Sequence, residues 1–243
     1  MRYALISDIH GNLEALQAVM TENYENDQVD QVVFLGDAVG YGASPNEVVE
    51  IIESSCSIKL MGNHDYCCIG LMDTLYFNEW ARESAEFTIS KLTPETNRII
   101  SAFQMTAEIE DVFLVHATPA SPEEWDYCLT KSEADRQFKH FRNKACFIGH
   151  SHQSLIFSSN GDGRTAQTPS KDFTLEEGHR YLINVGSVGQ PRDNDPRAAY
   201  VVFDSERKSV KFRRVSYDIE AAQAKMIAAG LPAFLVERLR IGR

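Results

Sequence analysis

The sequence has no apolar run near the roughly 20 residues that cross a bilayer. Its first residues also lack the basic, apolar, small-residue succession of a secretory signal. No C-x-x-C pair occurs among its five cysteines, Cys56, Cys67, Cys68, Cys128 and Cys146, and their number is odd. These absences argue against a membrane span, a disulfide framework and a closed thiolate zinc site, and lead to the expectation of reduced thiols in a cytoplasmic protein. The adjacent Cys67 and Cys68 read as small half-buried residues rather than a redox site. Basic residues are short as well: 24 Lys and Arg face 35 Asp and Glu, for a formal net charge of −11. Such a surface repels phosphate backbones and disfavours a general nucleic-acid binder. At face value it disfavours any phosphate-bearing substrate too. No internal repeat or linker interrupts the 243 residues, and 43% hydrophobic with 24% charged residues excludes the disordered classes. The expectation is one domain over 1–243.

What is present is an alternation of short apolar runs with helical periods. Residues 2–7, 31–35 and 57–61 read as strands, and 13–24 and 45–54 as helices, with Pro45 suited to a first turn. That rhythm predicts βαβ units and a largely parallel sheet. Residues 71–103 read as a more polar, inserted helical pair. Strand readings resume at 111–115 and 145–148, then at 155–158, 181–185, 198–203 and 209–215. The later ones sit close together, as antiparallel pairs do. Residues 217–229 read as a closing helix, and the tail after it carries no assignment. The stretch 159–178, crowded with turn residues, reads as a mobile surface loop.

Every polar cluster of note follows one of these strands. Asp8-x-His10 follows the first, Gly36-Asp37 the second and Gly62-Asn63-His64-Asp65 the third. His116 follows FLV, and Gly149-His150-x-His152 follows CFI. Strand carboxyl ends share one edge of an α/β sheet, where ligand sites form, so five separate segments would converge on one crevice. Of the seven histidines only His140 and His179 lie elsewhere, and they read as solvated surface and loop. Residues two apart on an extended segment point the same way, so the pairs Asp8/His10 and His150/His152 can each grip one ion. Imidazole with carboxylate and no thiolate suits Mn, Fe, Zn, Co or Ni. Seven such ligands are too many for one ion and about right for two that share a carboxylate, with water at the open positions. Any one segment alone is more often an ordinary strand end. The five together, in this order, are not.

This five-block pattern resembles the calcineurin-like metallophosphoesterases, and within them the small bacterial and archaeal phosphoesterases, whose late segment is similar to NVGSVGQPR at 184–192. The resemblance implies an α/β fold of four layers, α/β/β/α, with two mixed β-sheets flanked by helices. It implies that Asp8, His10 and His152 hold a first metal and Asn63, His116 and His150 a second, with Asp37 bridging; manganese is the favoured ion. It implies that His64 stays uncoordinated and protonates the leaving oxygen. Two divalent ions would lower the pKa of a shared water and clamp the phosphoryl oxygens. A histidine titrating near neutrality can hand over the proton. Asp65 reads as a brace behind the ligands. The ions also reverse the first inference from charge, because they make a locally positive crevice in an acidic protein. The expected partner becomes a small phosphoester rather than a long polyanion or a membrane.

Protein Ser/Thr phosphatases of that superfamily carry G-D-x-x-D-R-G after the second strand. Here the block is GDAVGYG at 36–42, with Gly40 at the place of the acidic brace and Tyr41 at that of the phosphate-gripping arginine. His64 is left without an evident orienting partner. A monoester dianion prefers an arginine clamp, so its absence favours a phosphodiester over a monoester or phosphoprotein. Arg192 is the candidate cation for substrate binding. Competing readings are a non-catalytic metal-binding scaffold on the same fold, against which His64 weighs, and a nucleotide pyrophosphatase. A repair-type nuclease would be longer and carry a basic patch.

Overall fold

The computed structural model describes residues 1–161 and 164–243. Its first strand, β1 (Arg2–Ile6), turns Tyr3 and Leu5 to one face and Ala4 and Ile6 to the other, and all four are buried. In β2 (Gln31–Phe34), Val33 parts in the same way from Val32 and Phe34. Strands with no polar face must be covered on both sides, which is the burial of a parallel sheet inside an α/β protein. β2 pairs parallel with β1 and with β3 (Cys56–Lys59). The crossovers are α1 (Leu13–Glu22), capped by the Asn12 side chain on the Ala15 N–H, and α2 (Pro45–Ser55), begun by its proline. α1 runs on into a π-helical turn, Asn23–Asp27.

After β3 come α3 (Asn63–Cys68), a 3₁₀ turn at Thr74–Tyr76, α4 (Glu79–Lys91) and α5 (Pro94–Ile100). There follow β4 (Thr106–Ile109), β5 (Val112–Val115), α6 (Lys131–Gln137), β6 (Ala145–Ile148) and β7 (Ser154–Ser159). The chain closes with β8 (Thr165–Pro169), β9 (Phe173–Thr174), β10 (Arg180–Val185), β11 (Ala198–Asp204), β12 (Ser209–Val215), α7 (Ile219–Ala228) and α8 (Ala233–Ile241). They form two six-stranded mixed sheets, ordered β3-β2-β1-β11-β12-β9 and β4-β5-β6-β10-β7-β8.

The sheets face each other through Leu5, Val33, Val201 and Phe203 on one side and Leu114, Phe147 and Ile183 on the other. Behind the first sheet, Ile6 and Phe34 pack on Leu16, Val48, Ile52 and Ile100 of the helices. Behind the second, Cys146, Ile148 and Leu182 pack on Ala134 and Phe138. The result is four layers, α/β/β/α.

Five local readings change. The stretch 159–178 is not one loop: it carries β8 and β9, which extend the edges of the two sheets, and residues 162–163 lie outside the described residues. The G-N-H-D block is the first turn of α3, not the end of a strand. Residues 106–109 form an edge strand, and the unassigned tail is α8. All five cysteines are buried and unpaired, and Cys67 and Cys68 lie inside the core rather than half-buried. Burial pushes the Cys67 thiol up to about 11, so neither a redox nor a metal role has support there. Among the described residues no helix is long and apolar enough to cross a membrane.

Candidate metal centre

The parallel strands β1, β2 and β3 of the first sheet and β5 and β6 of the second release their chains toward one crevice. The loops there are stitched to one another: the Asp8 N–H donates to the Gly36 carbonyl, the Gly149 N–H to that of His116 and the Val188 N–H to that of Ser7. Asp8 and His10, Asp37, His116, and His150 and His152 lie on these loops, Asn63 and His64 on the first turn of α3, and all are buried. The paired residues do not converge by strand alternation. Asp8, His10, Asp37, His150 and His152 have φ between 51° and 64°, the left-handed region. Each such turn costs about 1 kcal/mol or more in a non-glycine residue, and aims its side chain inward where an extended strand would not. At Gly36 (φ 110°) even a Cβ would come within 2.6 Å of the His116 ring.

The ligand atoms fall into two groups. Asp8, His10, Asp37 and His152 offer donor atoms within 4.8 Å of one another, as do Asp37, His116 and His150; Asp37 belongs to both. The Nδ1 atoms of His10, His116 and His152 lie 2.9, 2.9 and 2.6 Å from the carbonyls of Val39, Leu35 and Gln190. A carbonyl only accepts, so each Nδ1 carries the proton and each neutral ring turns an Nε2 lone pair into the cluster. His10 Nε2 and His152 Nε2 then face each other at 3.0 Å with no hydrogen between them. The Nε2 atoms of His116 and His150 and the Oδ1 of Asn63 are buried without a hydrogen-bond partner. Orphaned lone pairs converging on two carboxylates call for cations, and the donor set suits borderline divalent ones.

The electrostatics agree. Burial drives His10 and His152 well below their ordinary range and His150 down to about 3, with His116 adding to the last. Burial would lower His116 too, but the carboxylate of Asp37, 3.3 Å from its Nε2, outweighs it and lifts the ring to about 9. Without a cation, the field that would hold one draws a proton to His116 instead. For Asp37 the histidines, His116 foremost, overcome burial and hold the carboxyl well below its usual range. Its Oδ1 accepts the His64 N–H at 2.8 Å, at the first turn of α3, which leaves Oδ2 facing the cluster. Asp65 sits behind. Its carboxylate accepts the N–H groups of Asp37, Ala38, Val39 and Gly62 at 2.8 to 3.2 Å and so fixes the loop that carries Asp37.

The model of the calcineurin-like phosphoesterase superfamily domain matches residues 1–208. The chain belongs to that superfamily. An uncharacterized protein from Methanocaldococcus jannaschii is 38% identical over 244 residues, covering 99% of this chain and 98% of its own. The crystal structure of a metallophosphoesterase from Sphaerobacter thermophilus superposes with a TM-score of 0.89 at 37% identity, covering 100% of this chain and 99% of that one. A hypothetical protein from Pyrococcus horikoshii shares the fold, with a TM-score of 0.80 at 19% identity, over 100% of this chain and 98% of its own. The superfamily is one of metal-dependent phosphoester hydrolases, and the buried Asp/His cluster is compatible with a metal site.

The surroundings of His64 in this calcineurin-like phosphoesterase are aromatic rather than polar. Its Nδ1 is buried without a partner. The ring is gripped by other rings: Phe77 stacked at 4.5 Å, Tyr41 tilted at 4.5 Å and His10 edge-on at 4.8 Å between centroids. Burial, with Arg192 adding to it, pushes its pKa down to about 4, against the pull of Asp37. Arg192 is held by Gln190 Oε1 at 2.8 Å, and its guanidinium lies 5.5 Å over the Tyr41 ring. A second guanidinium, Arg238 of α8, sits near Arg192, Tyr41 and Tyr127; burial first and then Arg192 lower its pKa to about 10. Sequence reasoning missed Arg238 because α8 lies beyond residue 208, outside every motif. It also missed Phe77, Trp125 and Tyr127, whose rings lie against those of His64, His116 and His150 and which carry no pattern beyond being aromatic. His140 and His179 lie outside the cluster.

Proposed function

We propose that this chain hydrolyses a small phosphoester, a phosphodiester in preference to a monoester, with two divalent cations, manganese favoured, and His64 as the proton donor. The observation that carries the reading is the pair of buried ligand groups sharing Asp37. Asp8, His10 and His152 would hold one cation, Asn63, His116 and His150 the other, and Asp37 both. Bound there, the cations supply the Lewis acidity that ionises water at neutral pH and neutralises phosphoryl charge in an in-line displacement.

The rest is work for the side chains. Asp65 fixes the Asp37 loop, and three backbone carbonyls fix the imidazole tautomers. Arg192, its Nε and Nη2 held on Gln190 Oε1 and its guanidinium over Tyr41, would add a cation beside the substrate without the two-pronged clamp that the 36–42 block lacks. His64 is mostly neutral at pH 7 with a pKa near 4, so the acid form needs the negative charge of a bound phosphoryl group to raise its pKa. It then hands its proton to the leaving oxygen.

The test is turnover of mono-, di- and pyrophosphate esters by the chain loaded with Mn, Ni, Co, Zn or Mg. Diesters should give the highest kcat/KM. His64→Ala should keep two ions per chain by elemental analysis and lose about 10²- to 10⁴-fold in kcat on an alkyl diester. A panel without activity under every metal would point to the scaffold reading, and an unchanged His64→Ala rate would remove the acid.

A further inference from the structure

A cleft of about 460 Å³ opens above the second ligand group. Asn63 and His150 line it together with Met72 and four rings, Tyr76 and Phe77 from the segment before α4 and Trp125 and Tyr127 from the segment before α6. Its rings are seated on the cluster itself. Phe77 stacks on His64, Tyr127 stacks on His150 at 4.3 Å and 21°, and Trp125 stands edge-on to His116 at 6.1 Å. Two of them nevertheless turn a large surface to solvent: Tyr76 is 81% exposed and Tyr127 50%. Trp125 follows the 3₁₀ turn Pro122–Glu124 with φ 55°, and Ser121 before that turn has φ 52°. A bulky residue in the left-handed region is strained, and such strain collects where a segment is held to receive a ligand.

We propose that this cleft receives a flat, uncharged aromatic group, the leaving arm of the phosphoester, a reading that rests on the phosphoesterase function above. Flatness follows from the four rings that line the cleft, which gain from stacking what a puckered or branched chain cannot supply. Lack of negative charge follows from Glu123 and Glu124, which line the cleft, are exposed and repel a further phosphate. That the arm is the one that leaves follows from Phe77, which lines the cleft and touches the proton donor His64. An arm in the cleft is bonded to the oxygen nearest that ring. The cleft volume admits a nucleobase with its sugar as well as a single aryl ring.

The chain has two tryptophans, and Trp80→Phe leaves Trp125 as the only indole. Titration of this variant with adenosine, phenol and cyclohexanol, with and without Mn, reads the cleft by fluorescence without turnover. A saturable change with either aromatic and none with cyclohexanol supports the proposal, and the tighter of the two sizes the arm. Tyr76→Ala should weaken that binding about tenfold, the order of one lost ring contact. It should also lower, mainly through KM, the kcat/KM ratio of an aryl or nucleoside ester over the methyl ester. Equal response to cyclohexanol, or aromatic binding untouched by Tyr76→Ala, overturns it. Saturable binding without turnover of any ester would keep the cleft and sink the phosphoesterase reading; turnover blind to the arm would do the reverse.

Discussion

Residue 40 shows how a missing side chain can be a structural requirement. Gly40 has φ 86°, and a Cβ built on it would overlap Nδ1 of His64. The acidic brace absent from the 36–42 block is therefore not replaced by another hydrogen bonder. His64 is positioned by the faces of Phe77, Tyr41 and His10, and Gly40 keeps the space its ring occupies. Gly40→Ala should displace the ring and destabilise the chain by about 1–2 kcal/mol, the strain of alanine at positive φ. Its kcat on an alkyl diester should fall as far as that of His64→Ala, with both cations retained. Elemental analysis, urea unfolding and turnover together check this, and normal turnover would show that His64 does not work from this position. The sequence revealed that a brace was missing but not what stood in its place. Ring packing between residues 13 to 54 apart in the chain (Phe77, Tyr41 and His10 around His64) leaves no local spacing to read.

At the scale of elements, the π-helical turn after α1 carries a second burden. It places Asp27, 7% exposed, where it accepts the Tyr200 hydroxyl at 2.5 Å and a two-pronged contact from Arg213 at 2.8 and 2.9 Å. One carboxylate thus ties the end of a helix to β11 and β12. Removing one partner of a buried pair leaves an uncompensated charge. Arg213→Ala should cost about 2–3 kcal/mol in urea unfolding, and the double variant Asp27→Asn/Arg213→Ala less than the sum of the two singles. Additive losses would mean that the pair is not coupled. The same scale explains which elements could be read. β1, β2, β6, β10 and β11 are apolar on both faces and announce themselves. β4, β8 and β9 are edge strands with half-exposed, polar sequences such as TAEI and TAQTP, whose pairing comes from a neighbour rather than from their own period. α3 hides because its first turn is spent on Asn63, His64 and Asp65, residues that read as a loop. α8 buries Leu235, Val236 and Leu239 against α7 and Tyr41, a contact only the assembled fold supplies.

Across the whole molecule, the net charge of −11 and the buried cluster make opposite demands. An acidic surface has no use for further carboxylates, yet Asp8 and Asp37 are 0% and 1% exposed, with Asp65 also buried behind them. Buried carboxylates cost several kcal/mol each unless a positive charge answers them, and without a cation it is a protonated His116, 3.3 Å away, that answers Asp37. The ligand inventory in the sequence implies two cations; how strongly buried carboxylates favour a bound cation shows only once burial is known. Cations that bind the folded chain and not the unfolded one stabilise it by RT ln(1 + [M]/Kd), about 2.7 kcal/mol at a hundredfold excess over Kd. In a chain of this length each kcal/mol moves Tm by about 2–4 °C, so Mn in place of EDTA should raise Tm by about 5–10 °C. Asp37→Asn removes the carboxylate common to both groups and one buried charge. Its metal-free Tm should fall below that of the parent under EDTA, because His116 loses the carboxylate that pairs with it, while the rise with Mn largely vanishes. Scanning calorimetry of both chains in both buffers decides the matter, because a variant that still gained the full increment from Mn would have to hold its ions without Asp37, and the two groups would then not be joined through it.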